Sequence, residues 1–395
     1  MVSLALNKSN SQVGVKSATA DDFAATGSGT GFMSSSVVAA VASQSAAHRR
    51  LLDIHCFRGL AILFIVAGHC ASFFAWTAHG SAEGFAKDLF DDSTFFFVFI
   101  AGFLFQTTER RFSYPDYLVR KLRNVIAPYI VAITPAIVYA LVRGTHSFDA
   151  ESLHQLSMPE KIGYFMLYGG STINHALWFV PVIALYFLAS PLLIAIDRQK
   201  HAYLVLLVLL PVSLLMHRPS FSHGHNLLLA LYFLSAFVLG MCCSRFRVPL
   251  LSWLDRHLAI VVVASLMLFL GHFLGSEHHG KYTTDEPFDY QHPGGLIDWI
   301  FLQKMLMSFA LLGLVRHFRQ GLSGPLGFLG DKSFTIYFFH LYVVYAAHWL
   351  THFGVVEIDL AQFVLLLVAA VALPCGISQA ARILFPRWSR SLVGS

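Results

Sequence analysis

The chain has 395 residues, of which 56% are hydrophobic and only 12% charged, with 36 phenylalanines and a formal net charge of +5. A water-soluble protein of this length carries about twice that charged fraction, so the composition excludes an ordinary soluble enzyme and points to a multi-span membrane protein. Its five cysteines, Cys56, Cys70, Cys242, Cys243 and Cys375, lie in or beside apolar segments and show neither a disulfide framework nor metal-ligand spacing.

Residues 1–47 are rich in Ser, Ala, Gly, Thr and Val, with few aromatics and no periodic apolar face. They read as a disordered cytoplasmic tail, lacking the charged and apolar regions of a signal peptide although Val37–Val41 is briefly apolar. Residues 48–395 form the membrane domain. Ten apolar spans follow, at 56–76, 93–107, 124–142, 176–196, 202–217, 227–244, 258–275, 296–315, 333–351 and 360–381. The second and fifth are short for a crossing of about 20 residues and either extend into their flanks or lie within the bundle. Loops alternate in charge: twenty Lys and Arg fall on one side and five (Lys87, Arg143, Lys161, Arg218, Lys281) on the other. The positive-inside rule then predicts an all-α, polytopic helical bundle of about ten transmembrane helices with both termini cytoplasmic.

Two ionisable residues stand out in the first span, Arg58 and His69. Eleven helical residues turn through about 1100°, which leaves their side chains roughly 20° apart on one face and about 16 Å apart along the axis. Each costs about 2.5–3.5 kcal/mol to insert, so such residues face a cavity or a partner. Arg58 falls at the cytoplasmic end and His69 near mid-depth. A buried helix–helix hydrogen bond is the simplest alternative for the histidine. Lys304 is a further ionisable residue inside a span, either a counter-charge or a snorkelling side chain.

The loop after the second span carries the densest basic cluster: Arg110, Arg111, Arg120, Lys121 and Arg123. Arg120 and Arg123 are three apart, so on an α-helix they share a face and can clamp a polyanion; an anchor for lipid head groups fits equally. The opposite loops carry thirteen carboxylates and many aromatics, a surface suited to sugars and equally to ordinary solvation. His278, His279 and His292 match no metal spacing, and no metal is expected.

The pattern Arg58-x10-His69 resembles the opening signature of the membrane acyltransferase-3 family, and further landmarks follow in order. Phe95–Leu104 is similar to its aromatic run ending in Ser-Gly-Phe-Leu, with Ala101 in place of the serine. Arg120-Lys-Leu-Arg123 before Pro128-Tyr129 resembles its basic stretch, and Leu177-Trp178-Phe179 with Tyr186 its Trp-Phe motif. Gly330-Asp-Lys-Ser333-Phe-Thr-Ile-Tyr337-Phe-Phe-His340 resembles its late Ser/Tyr/His segment. The resemblance covers about residues 48–385. One departure concerns the arginine, where His55 stands in place of the family's Asp three residues earlier.

The resemblance implies an O-acyltransferase of the bacterial inner membrane that moves acetyl from acetyl-CoA to a hydroxyl of an exopolysaccharide or other envelope glycan. Its partners are then acyl-CoA, an extracytoplasmic glycan and membrane lipids, with no nucleic acid. A small molecule or a lipid-linked intermediate is the alternative acceptor. His69 becomes the base, and Arg58, the second catalytic residue, sits on the cytoplasmic side with Arg120 and Arg123, which hold the phosphates of the donor. Direct transfer and an acyl-histidine relay both remain open, as does a packing role for His340. A secondary transporter also buries such residues, but Pro135, Pro181, Pro191 and Pro211 show no half-to-half correspondence. His69, His272, His340 and His348 form no persuasive facing set for haem.

Overall fold

The computed structural model of the protein describes residues 35–73, 75–76, 81–108, 112–143, 156–168, 174–220, 226–284, 286–288, 290, 295–350 and 357–394. The expected tail up to residue 34 lies outside these, as do Arg110, Arg111 and His292. Two units are distinguished, Met1–Ile54 and His55–Ser395. In the first, the backbone is helical from Ser35, where composition suggests a tail to residue 47. Its Ala-rich stretch has favourable helix propensity.

The long helix α1, Ser35–Phe73, is followed by α2, Ser81–Phe90, and α3, Thr94–Gln106. A short α4, Tyr114–Lys121, passes through a π-helical turn at Leu122–Ile126 into α5, Ala127–Arg143. Next come α6, Met158–Tyr168, a 3₁₀ turn at His175–Trp178, and α7, Phe179–Leu188, with α8, Ser190–Asp197. The last pair bends by 57° ahead of Pro191. Then follow α9, Leu206–Met216, α10, Asn226–Arg245, and α11, Arg247–Gly275. The bundle ends with α12, Trp299–His317, α13, Arg319–Leu350, α14, Leu360–Leu384, and the small α15, Ser389–Val393. Pro135 and Pro211 sit inside continuous helices and do not divide them.

Six described helices are long and apolar enough to cross a membrane, or seven if the bent α7–α8 pair is one span. The all-helical membrane bundle is therefore observed, while the number of such helices falls short of ten. One reason is α3. Its 13 residues reach about 20 Å, so the helix by itself falls short of the length of a hydrocarbon core of about 30 Å. Ten of them are buried, so α3 is an interior helix, as a sequence apolar on every side requires.

Small residues let α3 approach α10. A Cβ at Gly102 would collide with the Phe237 carbonyl, and one at Gly240 with the Phe99 carbonyl, so the two backbones touch reciprocally. By contrast, α11 and α14 turn Leu266, Met267, Leu274, Leu365 and Val368 outward. Lipid rather than protein covers such faces.

Two small parallel pairings tie loops together: β1, Ala75–Trp76, with β4, Glu357–Ile358, and β2, Arg218–Pro219, with β3, Thr283–Thr284.

Candidate active site

Helices α1 and α13 cross at glycines. A side chain on Gly59 would strike the Leu326 carbonyl, and one on Gly330 the His55 carbonyl. This close crossing sets Arg58, whose Nη2 donates to the Gly330 carbonyl at 2.6 Å and lies 3.1 Å from His55 Nδ1. His55 Nε2 is 3.3 Å from Asp331 Oδ1. With Nδ1 accepting from arginine, the His55 proton sits on Nε2, and the ring relays Asp331 to Arg58. The Arg58 Nε is buried and has no hydrogen-bond partner.

Farther along the same face of α1, three imidazoles converge. The His69 ring centroid lies 5.3 Å from that of His175 and 5.2 Å from that of His340. Hydrogen bonds hold the 3₁₀ turn against α13: the Tyr337 hydroxyl donates to the Ala176 carbonyl, and Asn174 Nδ2 to the Phe338 carbonyl at 3.0 Å. His175 Nδ1 is 3.4 Å from the Tyr345 hydroxyl. His340 Nδ1 lies 3.0 and 2.9 Å from the carbonyls of Ile336 and Tyr337, and only a protonated nitrogen can approach them. Its Nε2 therefore carries the lone pair, and that atom is buried without a partner. The His69 ring is only partly buried and makes no hydrogen bond to any described residue. An imidazole left uncommitted in this way can take up a proton. Among the described residues, no three His, Cys, Asp or Glu converge as a metal site.

Beyond His69, one turn along α1, Ser72 Oγ donates to Asp91 Oδ1 at 2.9 Å. The other oxygen of Asp91 accepts from the backbone N–H of Lys281 at 3.4 Å. This clamp fixes the 276–284 loop beside the α1 turn that follows His69, where the Lys281 charge bears on both His69 and His175. The neighbouring carboxylates are occupied. Asp88 Oδ1 accepts from Gly280 N–H at 2.6 Å and Oδ2 lies 2.9 Å from His279 Nδ1, while Asp92 pairs with Arg218. Burial raises the Asp92 carboxyl, and Arg218 opposes that rise. Tyr232 bridges Asp92 to Asp298, at 3.2 and 2.8 Å.

Lys304 does not snorkel, and its ammonium faces the Asp88, Asp91 and Asp92 carboxylates as a counter-charge. It is fully buried, and its Nζ donates to the carbonyls of Asp88 and Leu89 at 3.0 and 2.7 Å, closing the C-terminal end of α2. A cavity of about 660 Å³ opens on this side, lined among others by His217, His272, His278, Tyr282 and Trp299. None of the three clustered histidines lines it.

The basic cluster spans the junction of α4 and the π-helical turn. Arg120 is the penultimate residue of α4, and Arg123 lies in the π-helical turn that continues it. Arg123 Nε donates to Ser391 Oγ at 3.4 Å. Lys121 turns onto the rings of Phe187 and Tyr117, at 4.5 and 5.1 Å. No described contact joins Arg120 to Arg123 or to Arg58.

A family model described as an acyltransferase domain matches residues 51–379. The chain belongs to the acyltransferase-3 family. No curated protein and no solved structure matches it. In this acyltransferase the separate sequence landmarks become one assembly. The Phe95–Leu104 run is the interior helix, and the late Ser/Tyr/His segment holds the turn of the Trp-Phe motif through Tyr337. His55, the departure from the family pattern, supplies the arginine with a partner.

His175 and Lys281 do not stand out as site residues in the sequence. His175 does adjoin the Leu177-Trp178-Phe179 motif, a signal that was available. Lys281 carried none, because only the Asp91 clamp brings it near the histidines.

Proposed function

We propose that this acyltransferase moves acetyl from acetyl-CoA, presented at the cytoplasmic side of a bacterial inner membrane, to a hydroxyl of an exopolysaccharide or another envelope glycan. Ten crossings with both termini cytoplasmic are the topology that goes with it, and it needs no metal. The observation that carries the reading is the uncommitted His69 ring between His175 and His340 on a helix that also bears Arg58.

In the reaction the acceptor oxygen attacks the thioester carbonyl carbon while His69 takes the hydroxyl proton. The tetrahedral oxyanion collapses by breaking the C–S bond, and the departing CoA sulfur takes the proton back from the imidazolium. His340 helps in a defined way. With its proton on Nδ1, it offers the Nε2 lone pair to an N–H of the His69 imidazolium. Lys281 approaches from the acceptor side and favours the developing negative charge. Arg58 suits the donor, since its buried Nε still lacks an acceptor. Arg120 and Arg123 are the further cations proposed for the donor phosphates.

The test is mass spectrometry of extracted glycans from cells carrying wild-type protein, His69→Ala or no protein, with membrane abundance followed by immunoblot. Loss of acylation at normal abundance is expected for the variant. Retained acylation would remove His69 from the chemistry, and unchanged glycans in the deletion would overturn the acceptor class.

A further inference from the structure

The C-terminal residues after α14 lie beyond the stretch that matches the family, yet they fold back onto α13 and the π-helical turn. The chain turns at Phe385–Trp388, and α15 is fastened on two sides. Thr335 Oγ1 on α13 donates to the Val393 carbonyl at 2.7 Å, and Arg123 Nε in the π-helical turn donates to Ser391 Oγ at 3.4 Å. Gly394 closes the helix at φ 81°, where a side chain would meet Phe334.

This anchoring puts Arg390 one residue from Ser391, which binds Arg123, and sets α15 on α13, whose Gly330 carbonyl binds Arg58. The Arg390 charge bears on Arg58 and that of Arg123 bears on Arg390. Three cations therefore gather from parts of the chain far apart in sequence. The carboxylate that bears on Arg58 is Asp331, which is 63% exposed and already 3.3 Å from His55 Nε2. Arg390 is itself partly buried, so water screens the cluster less than it would at an open surface. Like charges held together by packing, with a buried Arg58 Nε lacking an acceptor, form a site for a polyanion.

We propose that Arg390 is a phosphate-binding residue of the donor site, acting with Arg58 and Arg123, and that α15 completes this site. The ligand class is a phosphate ester, and the proposal rests on the acyl-CoA reading above. A lipid phosphate has the same chemistry, so the experiment must separate the two.

Full-length protein is placed in nanodiscs of zwitterionic lipid, and binding of CoA and dephospho-CoA is measured by titration calorimetry. Arg390→Gln is expected to weaken CoA binding about tenfold, the scale of one charged hydrogen-bonding partner. Arg390→Lys, which keeps the charge but loses the planar fork, is expected to lose about threefold. It also serves as the decisive variant if Arg390→Gln does not yield monodisperse protein. Wild-type CoA affinity in the variant that folds overturns the role of Arg390 and leaves the donor reading intact. A wild-type protein that binds neither nucleotide overturns both. Loss of CoA binding only when phosphatidylglycerol is added, equally in wild type and variant, assigns the cluster to a lipid head group and overturns the proposal.

Discussion

The imidazole of His340 stands 5.2 Å from that of His69, with its Nδ1 directed to the carbonyls of Ile336 and Tyr337. A packing role and a role in the site are thus joined in one residue: the backbone bonds fix the tautomer, and the tautomer leaves Nε2 available. His340→Ala is expected to lower kcat by about 10²-fold, within the range for an assisting acid–base group, with KM for the donor little changed. A steady-state assay of purified protein with acetyl-CoA and a glycan acceptor checks this. An unchanged kcat would leave His340 with packing alone.

Lys281 is expected to act on transfer rather than on folding. Its backbone N–H, not its side chain, holds the loop to Asp91, so Lys281→Gln keeps the clamp while removing the charge. A loss of about tenfold in kcat/KM at an unchanged melting temperature is the predicted result, the lower end of an electrostatic contribution. A lower melting temperature would mean instead that the ammonium supports the loop.

Gly102→Val tests the interior crossing. The added side chain meets the Phe237 carbonyl, and a backbone atom cannot move aside as a side chain does. Overpacking of this kind costs about 1–3 kcal/mol or more. Thermal unfolding in detergent is expected to shift downward and the membrane yield to fall, whereas Gly271→Val, where no atom lies within 4 Å, is expected to change little.

Lys304→Met separates structure from chemistry in the same region. Methionine fills the volume but leaves the Asp88 and Leu89 carbonyls without the ammonium, at about 1–3 kcal/mol for unsatisfied buried groups. The melting temperature is expected to drop while the folded fraction retains its KM for donor. A selective rise in donor KM would contradict the capping role.

Much of the site was legible before the fold was known. The spacing of Arg58 and His69 depends only on helical geometry, and both lie on one unbroken helix, α1. The shortness of 93–107 likewise follows from counting residues, and α3 lies inside the bundle. The π-helical turn that holds Arg123, next to Arg120 at the end of α4, was not legible in the sequence. A π-helical turn changes the angle per residue without any mark in composition. Lys304 carried a similar ambiguity, since a buried ammonium looks the same in sequence whether it faces a cavity or ends a neighbouring helix.

By itself, then, the sequence determined the class of protein, its family, and the stripe of Arg58 and His69, because these depend on composition and on contacts within one helix. Only the tertiary structure decided what surrounds that stripe. His175, Lys281 and Arg390 reach it from a 3₁₀ turn, a loop and a terminal helix, held by Tyr337, Asp91 and Thr335. Such placements depend on hydrogen bonds between segments far apart in the chain, and no local periodicity records them.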